Sequence, residues 1–160
     1  ITDGEVYPIE FLNENLPENE RDNTSEAMKL LDWEKNVDPD YRKHYFRPPL
    51  IASEDEKHTE KWIAYGNDYI AAKELTVNPR QTVTIKDPTA YGCIIVQGWG
   101  TLQNTPCATA TMLRFGQTSQ DEFFISAKRA SEGLTIKNLS NCEPLVMLKH
   151  FPHNSEVPEV

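Results

Sequence analysis

The sequence lacks several features that would identify a function at once. Among its 160 residues there is no apolar run of about 18 residues or more, so no segment is predicted to cross a membrane as a helix. Residues 1–10 do not show the basic stretch followed by an apolar stretch that is typical of a signal peptide. A Gly-rich phosphate loop, a nucleophile elbow and the residue order of a covalent hydrolase are also missing. Nucleotide-binding and covalent hydrolase functions therefore gain no support.

Cysteine is scarce as well, with three residues, Cys93, Cys107 and Cys142. Their odd number and their spacing match neither a zinc site nor a closed set of disulfides. Cys93 lies in an apolar segment, where a free cysteine behaves as a small hydrophobic side chain. We therefore expect three reduced thiols and a cytoplasmic location.

Basic residues are outnumbered, since the chain holds 16 Lys and Arg against 25 Asp and Glu, for a net charge of −9. The excess is confined to residues 1–60, with 16 acidic and 7 basic residues, whereas residues 61–160 carry 9 of each. A negative surface repels nucleic acid phosphates and anionic lipid, so we expect neither nucleic acid nor a membrane as a partner.

Residues 1–60 are predicted to form an acidic N-terminal arm that packs on a following domain. One helix is expected over about residues 25–36, because Thr24 or Ser25 can cap its start and residues 36–39 stop it. Since the chain begins without Met, we also expect it to be part of a longer protein.

From residue 61 onward the pattern changes to the period of two that is typical of strands. Gly, Pro and Asn separate the segments, and one helical turn is expected between Ser126 and Gly133, which can cap and end it. Eight short strands at this spacing predict a closed or two-sheet antiparallel barrel over residues 61–155. The predicted strands are residues 61–65, 69–77, 81–86, 92–97, 108–115, 122–125, 134–138 and 144–151.

Two motifs in this region resemble the cupin superfamily, whose members are small jelly-roll barrels. In the first motif a Gly closes a strand that follows two His and one Glu. Gly98, in the stretch IKDPTAYGCIIVQGWG, matches that Gly and places Tyr91 at the Glu position. The second motif ends on an Asn, which Asn138 in IKNLSNCEPLVML matches. The resemblance implies a mainly β, cupin-type antiparallel jelly-roll barrel, preceded by an arm containing one helix.

The metal-ligand positions that the resemblance implies are vacant in this chain. The first two His positions fall on Ile85 and Asp87, or on Thr84 and Lys86 if the motif has its longer gap, and the later His position falls on Leu134. These residues do not supply the imidazole and carboxylate ligands that a divalent metal needs. We therefore expect no metal and no other cofactor.

The strand before Gly98 also predicts what fills the barrel. Tyr91, Cys93 and Ile95 share one face of it, because side chains alternate along a strand. This face is almost wholly apolar, which is typical of a small barrel filled by side chains. We expect the strand to keep its structural role without the metal chemistry.

A further resemblance concerns residues 30–41 and 121–151, which look similar to the C-terminal parts of bacterial mannose-6-phosphate-isomerase-like proteins with two cupin domains. It implies a non-catalytic module, structural or ligand-binding, of a larger sugar-isomerase-like protein. It also implies a sugar or sugar-phosphate ligand, and either a homodimer or contact with another cupin domain of the same protein. No catalytic residue is assigned under this hypothesis.

Two alternative functions stay open. The chain could be a sugar or sugar-phosphate isomerase or epimerase that works in the barrel mouth with Lys86, Asp87 and Tyr91 as its polar groups. It could also be a small-molecule sensing domain. An open pocket with several convergent polar groups would favour the enzyme, whereas an interior filled by apolar side chains would favour a structural module.

The candidate ligand-binding residues are Lys86, Asp87, Tyr91 and His44. The first three lie at the expected barrel mouth, although Asp87 followed by Pro is also an ordinary start of a turn. His44 lies among charges and aromatic residues that could recognise an anionic sugar, although packing of the neighbouring aromatic residues also accounts for the cluster.

A weaker alternative is a metal site at His150 and His153, the one closely spaced pair of histidines in the sequence. Pro152 prevents a helix between them, so the two imidazoles are not expected to share a helical face. No partner carboxylate is suggested by the sequence.

Overall fold

The structure is a computed structural model that describes residue 10 and residues 13–29, 31–66, 68–112 and 115–152. The chain divides into two compact units, Ile1–Phe46 and Arg47–Val160. Within the described ranges, no helix has the length and apolar character needed to cross a bilayer.

Among the described residues of the first unit, three short helices have defined bounds, α1 (Thr24–Lys29), α2 (Trp33–Asn36) and α3 (Tyr41–Tyr45), and they follow a 3-10 turn at Glu18–Glu20. The prediction of one helix over residues 25–36 is therefore wrong, since two helices share that range. The reason is Asp32, whose side chain accepts a hydrogen bond from the backbone N–H of Lys35 and so begins a new helix.

The second unit carries ten strands in two antiparallel sheets among the residues that the structure describes. One sheet has the order β1-β2-β3-β10-β5-β8, and the other has the order β4-β9-β6-β7. The strands are β1 (Leu50–Glu54), β2 (His58–Ala64), β3 (Ile70–Val77), β4 (Thr82–Ile85), β5 (Tyr91–Gln97), β6 (Trp99–Leu102), β7 (Thr105–Ala108), β8 (Glu122–Ile125), β9 (Leu134–Asn138) and β10 (Leu145–Pro152).

The order of β3 to β10 is that of a jelly roll. Numbered one to eight along the chain, these strands lie in the orders 1-8-3-6 and 2-7-4-5, so most connections pass from one sheet to the other. Every strand pair is antiparallel. The predicted antiparallel jelly-roll fold is confirmed, and β1 and β2 extend one of its sheets.

Two predicted boundaries differ from the structure. β1 and the first residues of β2 belong to the sheet, so the unit boundary at Arg47 precedes the predicted one at residue 61. Of the predicted strand at residues 108–115, the described residues place only Ala108 in a strand, as the last residue of β7 in its hairpin with β6, and residues 113 and 114 lie outside the described residues. Gln103 supplies the positive φ of 54° that the tight hairpin turn requires.

Other local predictions are confirmed. The helical turn expected between Ser126 and Gly133 is α4 (Ala127–Glu132). The Ser126 hydroxyl accepts a hydrogen bond from the backbone N–H of Arg129, and Gly133 ends the helix with a φ of 112°. These two signals work locally, so they need no information from the rest of the chain.

The core lies between the two sheets. Leu75, Ile95 and Met147 from the six-stranded sheet belong to one buried cluster with Leu102 and Ile136 from the four-stranded sheet. Each is on the inward phase of its strand, because side chains alternate along a strand. The shared cluster shows that the two sheets pack face to face.

The Gly98-Trp-Gly100 segment allows the backbone to pass close to neighbouring chain. Gly98 has a φ of 81°, and a Cβ there would lie 2.4 Å from the Pro144 carbonyl oxygen. A Cβ on Gly100 would lie 2.0 Å from the Lys137 carbonyl oxygen. Both positions therefore require glycine.

We expect Gly100→Ala to lower the free energy of unfolding by about 3 kcal/mol, because the new methyl group forces β6 away from β9. Gly92→Ala is the matched control, since a Cβ at Gly92 meets nothing within 4 Å. Urea denaturation of both variants measures the difference. Equal losses in the two variants would contradict the close approach of backbone at Gly100.

Candidate functional site

Among the described residues, four charged side chains lie buried inside the barrel. They are Glu60 on β2, Lys73 on β3, Asp87 just after β4 and Lys149 on β10, and the side chains of Asp87 and Lys149 are 0% exposed. We call these four residues the ion ring. Because they occupy the inward phase of their segments, they point in the same direction as the core residues around them.

The ion ring closes on itself through four contacts between ammonium and carboxylate groups. Lys149 Nζ lies 2.6 Å from Glu60 Oε1 and 2.6 Å from Asp87 Oδ2. Lys73 Nζ lies 3.2 Å from Glu60 Oε2 and 3.1 Å from Asp87 Oδ1. Each carboxylate therefore contacts both ammonium groups, and the four charges sum to zero.

One of the four contacts differs from the others. Three are hydrogen bonds, in which an ammonium N–H donates to a carboxylate oxygen. The contact of Lys149 Nζ with Asp87 Oδ2 is a close ion pair without hydrogen-bond geometry, and Oδ2 has no other hydrogen-bond partner among the described residues.

Three aromatic rings surround the two ammonium groups. Lys73 Nζ lies 4.7 Å from the ring centre of Trp62, and Lys149 Nζ lies 5.0 Å from that of Tyr91. Phe151 lies within 5.5 Å of both ammonium groups. The rings offer their negative faces to the ammonium groups, so they stabilise charges that have lost their water.

The carboxylates of the ion ring determine the protonation of Lys73. Burial lowers the pKa of Lys73, but the charges of Glu60 and Asp87 outweigh burial and raise the pKa above its ordinary value. Lys73 therefore stays an ammonium at neutral pH. It does not supply the neutral amine that nucleophilic attack on a substrate carbonyl needs.

Tyr91 and Cys93 lie beside the ion ring in protonated form. Burial, followed by the charge of Asp87, raises the pKa of the Tyr91 hydroxyl far above its ordinary value. Burial raises the pKa of the Cys93 thiol to about 12, although Lys149 acts in the opposite direction. The Tyr91 hydroxyl has no hydrogen-bond partner among the described residues.

The structure brings together two of the predicted ligand-binding residues, Asp87 and Tyr91, inside the barrel. Lys86 is exposed instead, because it is on the opposite phase from Asp87. His44 belongs to the first unit, where its Nδ1 lies 2.5 Å from Asp38 Oδ2. These placements do not test whether any of the four residues binds a ligand.

Tyr91, Cys93 and Ile95 lie in the buried core, as predicted, but the ion ring lies in the same interior and was not predicted as a whole. Glu60, Lys73 and Lys149 were not predicted. A signal for them existed, since Lys73 and Lys149 share the period of their apolar neighbours on β3 and β10. A charged residue in the apolar phase of a strand is the pattern that would have pointed to them.

Asn138, the residue that matches the second cupin motif, connects three segments of the barrel. Its Nδ2 donates to the carbonyl oxygens of Val77 and Glu143, and its Oδ1 accepts from the N–H of Ser140. All three bonds are to the backbone of this chain. This gives Asn138 a structural role at the end of β9.

The vacant metal positions also have structural roles. Ile85 and Leu134 lie in the hydrophobic core. The described residues form no group of three or more His, Cys, Asp or Glu side chains that could hold a metal ion. The carboxylates of Glu60 and Asp87 do not fit a divalent metal, because two ammonium groups already contact them and would repel it.

The structure gives no distance between His150 and His153 that would test the predicted metal site. His150 is exposed on β10 and is on the opposite phase from Lys149. His153 lies outside the described residues. The weak alternative of a metal site there stays a prediction.

Models of protein families and curated protein sequences give no match to this chain. Among solved structures, the chain is similar to Rru_A2000 from Rhodospirillum rubrum, described as a cupin-2 domain, with 16% identity and a TM-score of 0.45 over 70% of this chain and 72% of that chain. It is also similar to the polyketide cyclase RemF from Streptomyces resistomycificus, with 13% identity and a TM-score of 0.46 over 71% and 79% of the two chains.

A third similar structure is that of Rhodobacter sphaeroides SigE in complex with the anti-sigma ChrR, with 10% identity and a TM-score of 0.45. The match covers 62% of this chain and 46% of that chain, so this chain spans less than half of that chain's length. The jelly-roll assignment rests on the strand order, and the cupin likeness stays a resemblance.

We expect Lys149→Met to lower the free energy of unfolding by about 4 kcal/mol, because two buried carboxylates lose a partner while the side chain keeps its length. Lys128→Met is the control, since the Lys128 side chain is 85% exposed and its nearest carboxylate lies 3.9 Å away. Chemical denaturation measures both variants. A Lys149→Met variant as stable as the control would contradict the closed ion ring.

Proposed function

We propose that the barrel is a non-catalytic module whose interior stabilises the fold. The observation that supports this proposal is the closure of the ion ring, in which every carboxylate oxygen contacts an ammonium group of the same chain. An acid–base catalyst needs a group that is free to exchange a proton with its substrate. In the ion ring, ammonium groups of the same chain already contact Glu60 and Asp87, so neither carboxylate is free to exchange a proton with an external substrate.

The protonation of the neighbouring groups supports the same proposal. Lys73 stays an ammonium, and burial keeps Tyr91 and Cys93 protonated. A nucleophile in this interior would need a neutral amine or a thiolate. The ordinary route to covalent catalysis is therefore disfavoured at these residues.

The wider role that we propose is that of a module in a larger, sugar-isomerase-like cytoplasmic protein. This part rests on the resemblance of residues 30–41 and 121–151 to mannose-6-phosphate-isomerase-like proteins. In such a protein the barrel would contact another cupin domain or a second copy of itself. The catalytic residues would then lie in another part of that protein.

The alternative of a sensing domain is favoured by one observation, the unpartnered hydroxyl of Tyr91. A buried hydroxyl without a hydrogen bond is rare, and a bound polar molecule is one way to satisfy it. Asp87 and Tyr91 would then contact a sugar or sugar phosphate, as the sequence predicted. The isomerase alternative would use Lys86 together with Asp87 and Tyr91, and it must also move a proton.

The isomerase alternative is tested by the exchange of a hydrogen bonded to a carbon atom of the substrate with deuterium from the solvent. We expect no deuterium uptake above the protein-free rate when the chain is incubated in D2O with aldose and ketose phosphates and divalent metal ions. Proton NMR measures the uptake, because both isomerases and epimerases that act by proton transfer exchange such a hydrogen. Uptake by the wild type that Asp87→Asn abolishes would overturn the non-catalytic proposal.

The sensing alternative is tested at Tyr91. We expect Tyr91→Phe to raise the free energy of unfolding by about 1 kcal/mol, because it removes a buried hydroxyl that has no partner. Tyr65→Phe is the matched control and should lose about 1 kcal/mol, since the Tyr65 hydroxyl donates to the Pro48 carbonyl oxygen at 2.5 Å.

Thermal unfolding of the wild type and both variants, with and without sugar phosphates, measures these effects. A sugar phosphate that raises the melting temperature of the wild type but not of Tyr91→Phe would favour the sensing function over a purely structural role.

A further inference from the structure

The contact between Lys149 and Asp87 is an ion pair that is fully buried. The side chains of both residues are 0% exposed, and Nζ lies 2.6 Å from Oδ2 without hydrogen-bond geometry. The same Nζ donates a hydrogen bond to Glu60 Oε1 at 2.6 Å. An amine, a carboxyl group and a second carboxylate that can carry protons are therefore held together away from water.

This arrangement contains all the atoms of a condensation reaction. Holding two reacting groups in contact replaces a collision between molecules with a step inside one molecule, which is a large advantage in rate. Water does not hydrate the two charges of this buried ion pair, so their conversion to a neutral amide removes a desolvation cost. The product water leaves a site from which bulk water is excluded.

We propose that Lys149 and Asp87 condense in the folded protein to form an amide bond, with Glu60 as the proton carrier. The Lys149 ammonium gives one proton to Glu60, and the neutral Nζ attacks Asp87 Cγ. The attacking nitrogen then gives its second proton to the departing Oδ2. Glu60 passes the first proton to the same oxygen. The bond between Cγ and Oδ2 breaks, and one water molecule leaves.

The charges of the ion ring support this step. The ring begins with two ammonium groups and two carboxylates, and the reaction removes one of each. Lys73 and Glu60 remain, and their charged atoms lie 3.2 Å apart, so the interior stays neutral. Removing one buried ion pair also removes the cost of keeping two charges away from water.

The geometry selects Lys149 rather than Lys73 as the reacting amine. Lys73 Nζ lies 3.1 Å from Asp87 Oδ1 and makes a hydrogen bond with it, and its side chain is 9% exposed. Lys149 lies closer and is completely buried. The bond would join β10 of the six-stranded sheet to the end of β4 in the four-stranded sheet, and so cross-link the two sheets.

The test is the intact mass of the full chain, measured by mass spectrometry after purification and again after incubation at neutral pH. We expect a mass that is lower than the sequence mass by one water molecule. Proteolytic mapping should join the peptide containing Asp87 to the peptide containing Lys149. A wild-type mass equal to the sequence mass after incubation overturns the proposal without the use of any variant.

Variants distinguish the water lost in forming this bond from water lost in other reactions. Asp3 followed by Gly4 is a sequence that can lose water as a succinimide, but such a loss would persist in Lys149→Met. We expect Lys149→Met to have its full sequence mass, and persistence of the loss would overturn the cross-link. Glu60→Gln, checked for folding by circular dichroism, should also have its full mass. A folded Glu60→Gln variant that still loses water overturns the role of Glu60.

The outcome is independent of the proposed function. A barrel with the cross-link could still exchange substrate hydrogens in D2O, and a barrel without it could still be non-catalytic. The mass measurement can therefore contradict the cross-link, and the deuterium measurement can contradict the non-catalytic role, independently of each other.

Discussion

The structure depends on the mutual compensation of four charges that are shut away from water. A buried carboxylate or ammonium without a partner is very unfavourable, so each of these residues is tolerable only because the others are present. Lys149 and Glu60 are 89 positions apart in the chain, yet their charged atoms lie 2.6 Å apart. The ion ring therefore ties together segments that no local interaction could align.

This compensation also constrains how the strands pair. A shift of one residue in the register of a strand moves all of its inward side chains to the other face. Such a shift in β3 or β10 would take Lys73 or Lys149 out of the ring and leave each buried carboxylate with one ammonium partner instead of two. We infer that the ring disfavours alternative registers as well as stabilising the native one, which is the kind of specificity that buried polar groups provide in some proteins. The same contacts occupy the carboxylates and the ammonium groups of the ring, which is the basis of the proposed non-catalytic role.

Local signals in the sequence were sufficient for much of the fold. The alternation of residues predicted the strands that became β3, β5, β9 and β10, and Ser126 and Gly133 predicted the start and end of α4. The failures occurred where a short-range feature was missed, as when Asp32 divided the expected helix. Asp87 and Tyr91 were predicted as part of a site, but their partners on distant strands were not.

The sequence by itself determined the period of the strands and the helix caps, because each of these depends on a few consecutive residues. Only the tertiary structure decided that Lys73 and Lys149 can be buried there as charges. The energy of a buried charge depends on its distance from an opposite charge, and that distance is set by the pairing of strands far apart in the chain. The same alternation that placed apolar residues in the core placed the lysines there too, and Glu60 and Asp87 made their burial possible.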